Sequence, residues 1–181
     1  LGPVESGAES QAETNAFSPT IIAEKALFVN EKIPFSTFHG KLDNQPVSAK
    51  LPWEALAERL THHERRLEKD GPSWSPTQYR DRTTRGKENV ESLSCLVLDF
   101  DAGATPDELT PQWERWAYAI HTSHSHAPQH FKWRAIFPLA ERVPAAAWPN
   151  VYRRLGLGLG RGHTDPACKD CSRLYYWPAA K

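Results

Sequence analysis

The chain has 181 residues and a formal net charge of zero, with 22 Lys and Arg against 22 Asp and Glu. That length fits one domain, and the balanced charge removes any argument from global charge for a nucleic-acid partner. Three cysteines and no secretory leader point to a reducing, cytoplasmic setting, and no apolar run approaches the ~20 residues of a membrane span.

The chain contains no methionine, which suggests a piece of a longer protein. Residues 1–18 are dominated by Gly, Ser, Ala and Glu and read as a disordered tail; 19–181 then forms the folded domain. Ile21–Val29 is a short apolar segment read as a helix. Ile33–Phe38 alternates like a strand and is stopped by His39-Gly40. A helix opens at Leu51-Pro52-Trp53, with Trp53, Leu56 and Leu60 on its core face, and fails by Asp70-Gly71-Pro72. The turn-rich stretch that follows carries Arg80, Arg82, Arg85 and Lys87 among hydroxyls, groups that suit phosphate oxygens or simply a solvated loop.

Next comes the central strand, Ser94–Phe100. It runs into Leu96-Val97-Leu98-Asp99-Phe100-Asp101, in which alternation puts both carboxylates on one face and Phe100 on the other. Two such charges repel and raise each other's pKa unless a positive group stands between them. A divalent metal would serve, and carboxylate oxygens suit Mg²⁺ or Mn²⁺; a strand end with two solvated aspartates is the plainer reading. Thr105-Pro106-Asp107-Glu108 has the signature of a helix start. Ala117–Ile120 reads as a strand leading into His121-Thr122-Ser123-His124-Ser125-His126, a run open to phosphate contact, metal ligation or solvent. Trp133–Phe137 is a third strand, stopped by Pro138, with Lys132 and Arg134 on one face as candidate anion ligands. Val143-Pro144 opens a helix through Trp148, Val151 and Tyr152. Gly156–Gly162 reads as a glycine-rich loop without the G-K-[ST] of a phosphate-binding loop. Asp165 is a third carboxylate. Cys168-x-x-Cys171 with His163 is half a zinc site, more simply two free thiols. Arg173 opens a last strand, Leu174–Trp177, where it can pair with Asp170 or touch a phosphate.

Strands and helices alternate unevenly, which predicts an α+β fold rather than a doubly wound parallel sheet. Residues 88–114 hold seven carboxylates and no Lys or Arg, while basic residues dominate 59–87 and 130–181. That pattern allows an acidic site walled by cations.

The order LVLDFD (96–101), HTSHSH (121–126), KWRAIFPLAERV (132–143) and TDPACKDCSRLYYWP (164–178) resembles the catalytic domain of the archaeo-eukaryotic primase superfamily. It is most similar to the primase-polymerase domains of phage- and plasmid-borne primase-helicase proteins. The resemblance covers about residues 33–178 and includes the lead-in Gly71–Val90. It implies an α+β catalytic core, with an RNA-recognition-motif-like antiparallel sheet beside a smaller α/β module. The family's first acidic motif falls on Asp99 and Asp101, and its last on Asp165. These are the implied ligands of Mg²⁺ or Mn²⁺ and the implied catalytic residues. Its Ser-x-His motif is matched imperfectly: Thr122-Ser123-His124 fits if Thr replaces Ser, His126 is an alternative, and Arg134 takes the strand position that histidine holds elsewhere. Ser123, His124, His126, Lys132, Arg134 and Arg173 are therefore the candidates for nucleotide binding, and Arg80, Arg82, Arg85 and Lys87 for nucleic-acid binding. The implied activity is primer synthesis on single-stranded DNA from NTPs or dNTPs, with a helicase domain or subunit as partner. The residues alone also allow a non-catalytic DNA-binding module of a replication initiator, or a metal-dependent nuclease.

Overall fold

The computed structural model describes residues 21–24, 32–101 and 103–181. The tail 1–18 and most of the expected 21–29 helix lie outside them; within that segment, Ile22 and Glu24 instead form extended bridges to Leu139 and Trp116. The strands are β1 (Lys32–Phe38), β2 (Val47–Pro52), β3 (Glu64–Arg65), β4 (Ser73–Ser75), β5 (Thr77–Tyr79), β6 (Val90–Phe100), β7 (Ala119–Thr122), β8 (Trp133–Pro144), β9 (Tyr175–Tyr176) and β10 (Ala179–Ala180). The α-helices are α1 (Trp53–Thr61), α2 (Pro106–Leu109), α3 (Trp148–Val151) and α4 (Leu157–Gly160), the last two joined by a π-helical turn over Tyr152–Gly156.

Two four-stranded antiparallel sheets, ordered β5-β6-β8-β7 and β2-β1-β4-β9, carry the fold, with β3 and β10 as a small parallel pair. The α+β expectation therefore holds. The β6–β8 sheet is buried on both faces. Leu96, Leu98, Phe100, Trp133 and Phe137 pack toward Leu109, Trp113, Trp148 and Val151 of the helical layer. Cys95, Val97 and Ile136 pack on the other face toward Phe35 and Trp74 of the second sheet and Leu56 and Leu60 of α1. Strands covered on both faces carry continuous apolar runs, as Cys95–Leu98 does.

Several elements differ from those predicted. Helix α1 ends at Thr61 because His62 turns extended and the next residues are captured by the C-terminal strand: Glu64 donates to the Pro178 carbonyl and Arg66 to that of Ala180. Strand β8 runs through Pro138 to Pro144, which moves the helix start to Trp148. Pro138 is tolerated because it sits where the β6–β8 register shifts, and a bulge is where a missing N–H costs no ladder bond. The predicted glycine-rich loop is helical as far as Gly160, where a Cβ would stand 2.3 Å from Thr164 Cγ2. Glycine there serves close approach, not looseness.

Candidate active site

Strand register sets functional side chains out in rows. Val97, Ile136 and Ala119 stand side by side on β6, β8 and β7, on the face covered by the second sheet. Two residues along, alternation brings Asp99, Arg134 and His121 level with one another on that same face. All three are buried. One more step brings Asp101, Lys132 and Ser123 together. Lys132 Nζ lies 3.3 Å from Asp101 Oδ1, and the Ser123 N–H donates to the Lys132 carbonyl at 3.0 Å. Phe100, between the two aspartates, faces the opposite way and stacks on Trp133 with centroids 4.0 Å apart.

Asp99 is the hub. Arg134 Nε donates to its Oδ1 at 2.6 Å, and Arg173 Nη2 to its Oδ2 at 3.2 Å. The same Nη2 reaches Asp165 Oδ2 at 2.7 Å, so one guanidinium nitrogen joins two carboxylates. Asp165 is brought there by the backbone: its N–H donates to the Asp99 carbonyl at 2.8 Å, and its Oδ1 caps the short 3₁₀ turn Pro166–Lys169 through the Ala167 N–H. Burial pushes the Asp99 carboxyl upward, but Arg134 and then Arg173 outweigh it and hold the group below the usual carboxylate range. Under both cations lies the Tyr175 ring, 4.7 Å from the Arg134 guanidinium carbon and 5.7 Å from that of Arg173. This cation–π platform fixes their direction. Cys168 Sγ accepts the Asp99 N–H at 3.3 Å from behind, and burial lifts its thiol to about 11, leaving it protonated and inert.

Over residues 23–181 the sequence matches the VapE N-terminal domain. The chain belongs to the VapE N-terminal domain family. No curated protein matches it. Among solved structures, the AEP domain of the cyanophage S-2L primase-polymerase superposes with a TM-score of 0.46 at 11% identity, covering 81% of this chain and 72% of that one.

Every predicted site residue lies inside the span matched to the VapE N-terminal domain. A cavity of about 160 Å³ gathers Asp99, Asp101, Ser123, His124, Lys132, Arg134 and Arg173 on one wall system. His124 Nε2 stands 2.9 Å from the Arg66 carbonyl. His126 is not on that wall: its Nδ1 accepts the Lys132 N–H and its ring meets the edge of Phe131. The basic loop divides. Arg80 bonds the Glu88 carbonyl and Arg82 sits exposed at a positive φ, whereas Arg85 and Lys87 turn toward the site's flank, Lys87 pairing with Asp170 at 3.3 Å. Cys95, Cys168 and Cys171 are all free thiols.

Sequence reasoning missed Tyr175, and it left His121 in a polar run after the strand rather than on its buried face. Extending the β7 prediction by two residues puts His121 on the same face as Ala119. The imidazole is 3% exposed, its Nδ1 lies 2.9 Å from the Thr122 carbonyl, and its Nε2 is buried with no hydrogen-bond partner. Burial, with Arg134 beside it, pushes its pKa down to about 3, so it is neutral.

The carboxylates of this VapE N-terminal domain offer hard oxygen donors of the kind Mg²⁺ and Mn²⁺ take. Asp99 and Asp165 already share one cationic group, so the pair fits a small cation at that position. Asp101 faces Lys132 instead. Among the described residues, no group of three or more His, Cys, Asp or Glu side chains is gathered tightly enough to hold a metal. Among them, too, no helix is long and apolar enough to cross a membrane.

Proposed function

We propose that this domain is a DNA-dependent nucleotidyltransferase that synthesises primers on single-stranded DNA. The observation that carries the reading is the convergence of Asp99 and Asp165 on Arg173, with Asp101, Lys132 and Arg134 around the same cavity. A reaction on a nucleoside triphosphate needs acids for Mg²⁺ or Mn²⁺ and cations for the phosphates, both within a few ångströms. Bound Mg²⁺ or Mn²⁺ would activate the attacking 3′-hydroxyl and neutralise the departing pyrophosphate, held by Asp99 and Asp165, with Asp101 joining them only if it turns away from Lys132. Lys132, Arg134 and Arg173 bind and orient the triphosphate, Arg173 through the face it now turns to the carboxylates. Ser123 and His124 border the nucleotide. The superfamily resemblance supports the same assignment and adds NTP or dNTP as substrate, with a helicase domain or subunit as partner in replication.

A second reading has one observation in its favour: each carboxylate already faces a Lys or Arg, as in a settled charge network. On that reading the domain binds DNA without chemistry. Incubation with single-stranded DNA, Mg²⁺ or Mn²⁺, and labelled NTPs or dNTPs separates the two. Labelled product that is lost on Asp99→Asn supports the enzyme, DNA binding without product supports the binding module, and shortened DNA would instead identify a nuclease.

A further inference from the structure

A second cavity of about 510 Å³ opens beside the site. The two share Arg173, Leu174 and Tyr176 as a common wall. The far side of the second is formed by Lys41 and Leu42 at the tip of the β1–β2 hairpin, together with Arg85. Hairpin and loop are joined into one unit. The Arg85 N–H donates to the Asn44 carbonyl at 2.9 Å, its Nη2 to the Lys41 carbonyl at 3.2 Å, and its guanidinium lies over the Phe38 ring. The hairpin tip is itself pinned: the Lys41 N–H donates to Asp70 Oδ1, and Asp43 caps the His39 and Gln45 N–H groups. The two loops that form the far side of the groove are therefore tied to each other and to the body of the domain. The groove's one carboxylate on the lining, Asp170, is paired with Lys87.

We infer that this groove seats a single strand of nucleic acid whose end lies in the neighbouring carboxylate cavity. The inference rests on the function proposed above and adds a location and two residues, Lys41 and Leu42, that lie outside the motifs, with Tyr176 shared between the two cavities. Charge complementarity and continuity select the occupant. Lys41 and Arg85 on the far side and Arg173 on the shared wall bring three cations to a groove that opens beside the acids, groups that suit a phosphate backbone. Leu42, 88% exposed, and the Tyr176 ring give apolar faces on which bases rest. A peptide partner would need acids placed to match these cations, whereas a nucleic-acid strand carries an anion at every step of its backbone.

The test is a titration of a fluorescein-labelled single-stranded oligonucleotide into the whole domain at several salt concentrations, without nucleotide. Lys41→Glu is expected to weaken binding about tenfold at low salt and to reduce the slope of log K against log salt by about one. Leu42→Ala should weaken it less and leave the slope unchanged. Lys50→Glu, on a separate cavity, serves as the control for a general charge effect and should change little. Lys41 and Leu42 are exposed, so the variants fold; a matching melting curve confirms it. Wild-type binding with an unaltered affinity and slope in Lys41→Glu overturns the groove alone. Equal loss in Lys50→Glu also overturns it, because the effect would then be nonspecific. A wild type that binds no single-stranded DNA overturns the functional reading as well.

Discussion

Two aspartates one residue apart predict repulsion, and from the sequence alone removing them should relieve strain. At Asp99 the structure reverses that expectation: the carboxylate is buried between two guanidiniums, so deleting it strands two charges. Breaking a buried pair by removing one partner costs about 3–5 kcal/mol. Arg134→Ala is therefore expected to lower the urea midpoint by a corresponding amount, and, where folded protein remains, to raise the nucleotide KM. An unchanged midpoint would mean that solvent already screens the pair. The acid limb of stability has a definite sign. Asp99 has a depressed pKa in the fold, so its contribution is complete above the ordinary carboxylate pKa and is lost as pH falls through the lower folded value. His121 acts at milder pH. Its folded pKa is about 3 against about 6.5 unfolded. Below pH 6.5 the unfolded chain takes up a proton that the folded chain refuses, and stability falls by up to about 1.4 kcal/mol per pH unit. Between pH 7 and pH 5 this amounts to about 2 kcal/mol. Denaturant titrations should show that loss in the wild type and a flatter profile in His121→Gln; equal profiles would mean that the imidazole is charged in the fold.

At the scale of elements, the central strand was the most legible part of the sequence. An unbroken apolar run ending in charge marks a doubly buried strand that emerges at a site, and β6 does this. The level pairing of Asp99 with Arg134 was half legible. Alternation put Lys132 and Arg134 on one face, but which strand β8 joins, and in what register, depends on contacts distant in sequence. The short strands β2, β4, β5 and β10 were not legible. β4 and β5 are three residues each, within a segment whose Ser, Pro and Gly content reads as turns, and they exist only because the neighbouring strands offer ladder partners. Asp165 was legible as an acid from its own segment and as a neighbour of Asp99 only through the resemblance, because a backbone hydrogen bond between segments distant in sequence brings it there. One local device closes the strand. Gly103, just past Asp101, adopts φ +93°, and a Cβ there would lie 2.8 Å from His163 Nδ1. Gly103→Ala should cost about 1–3 kcal/mol from backbone strain and disturb the Asp101 end of the cavity. A thermal melt indistinguishable from wild type would show that the turn relaxes freely.

The whole molecule explains why the site is where it is. The β6–β8 sheet is sealed by helices on one face and by the second sheet and α1 on the other. At the end of β6 the second cover runs out, and the row after the last apolar one becomes polar. Rigid strands therefore aim Asp99, Arg134 and His121 into a cleft, while Asp165 and Arg173 close it from the C-terminal segment. The arrangement gathers acids and cations into one cleft of a chain whose formal net charge is zero. The most direct measurement is primer synthesis on single-stranded DNA in Mn²⁺, comparing wild type, Asp99→Asn and Asp165→Asn, with folding checked by melting and DNA binding measured alongside. The account predicts labelled product from the wild type and none from either variant, with DNA binding largely retained in both. Wild-type protein that binds DNA but makes no product with any metal or nucleotide set, or variants that synthesise as well as wild type, would contradict it.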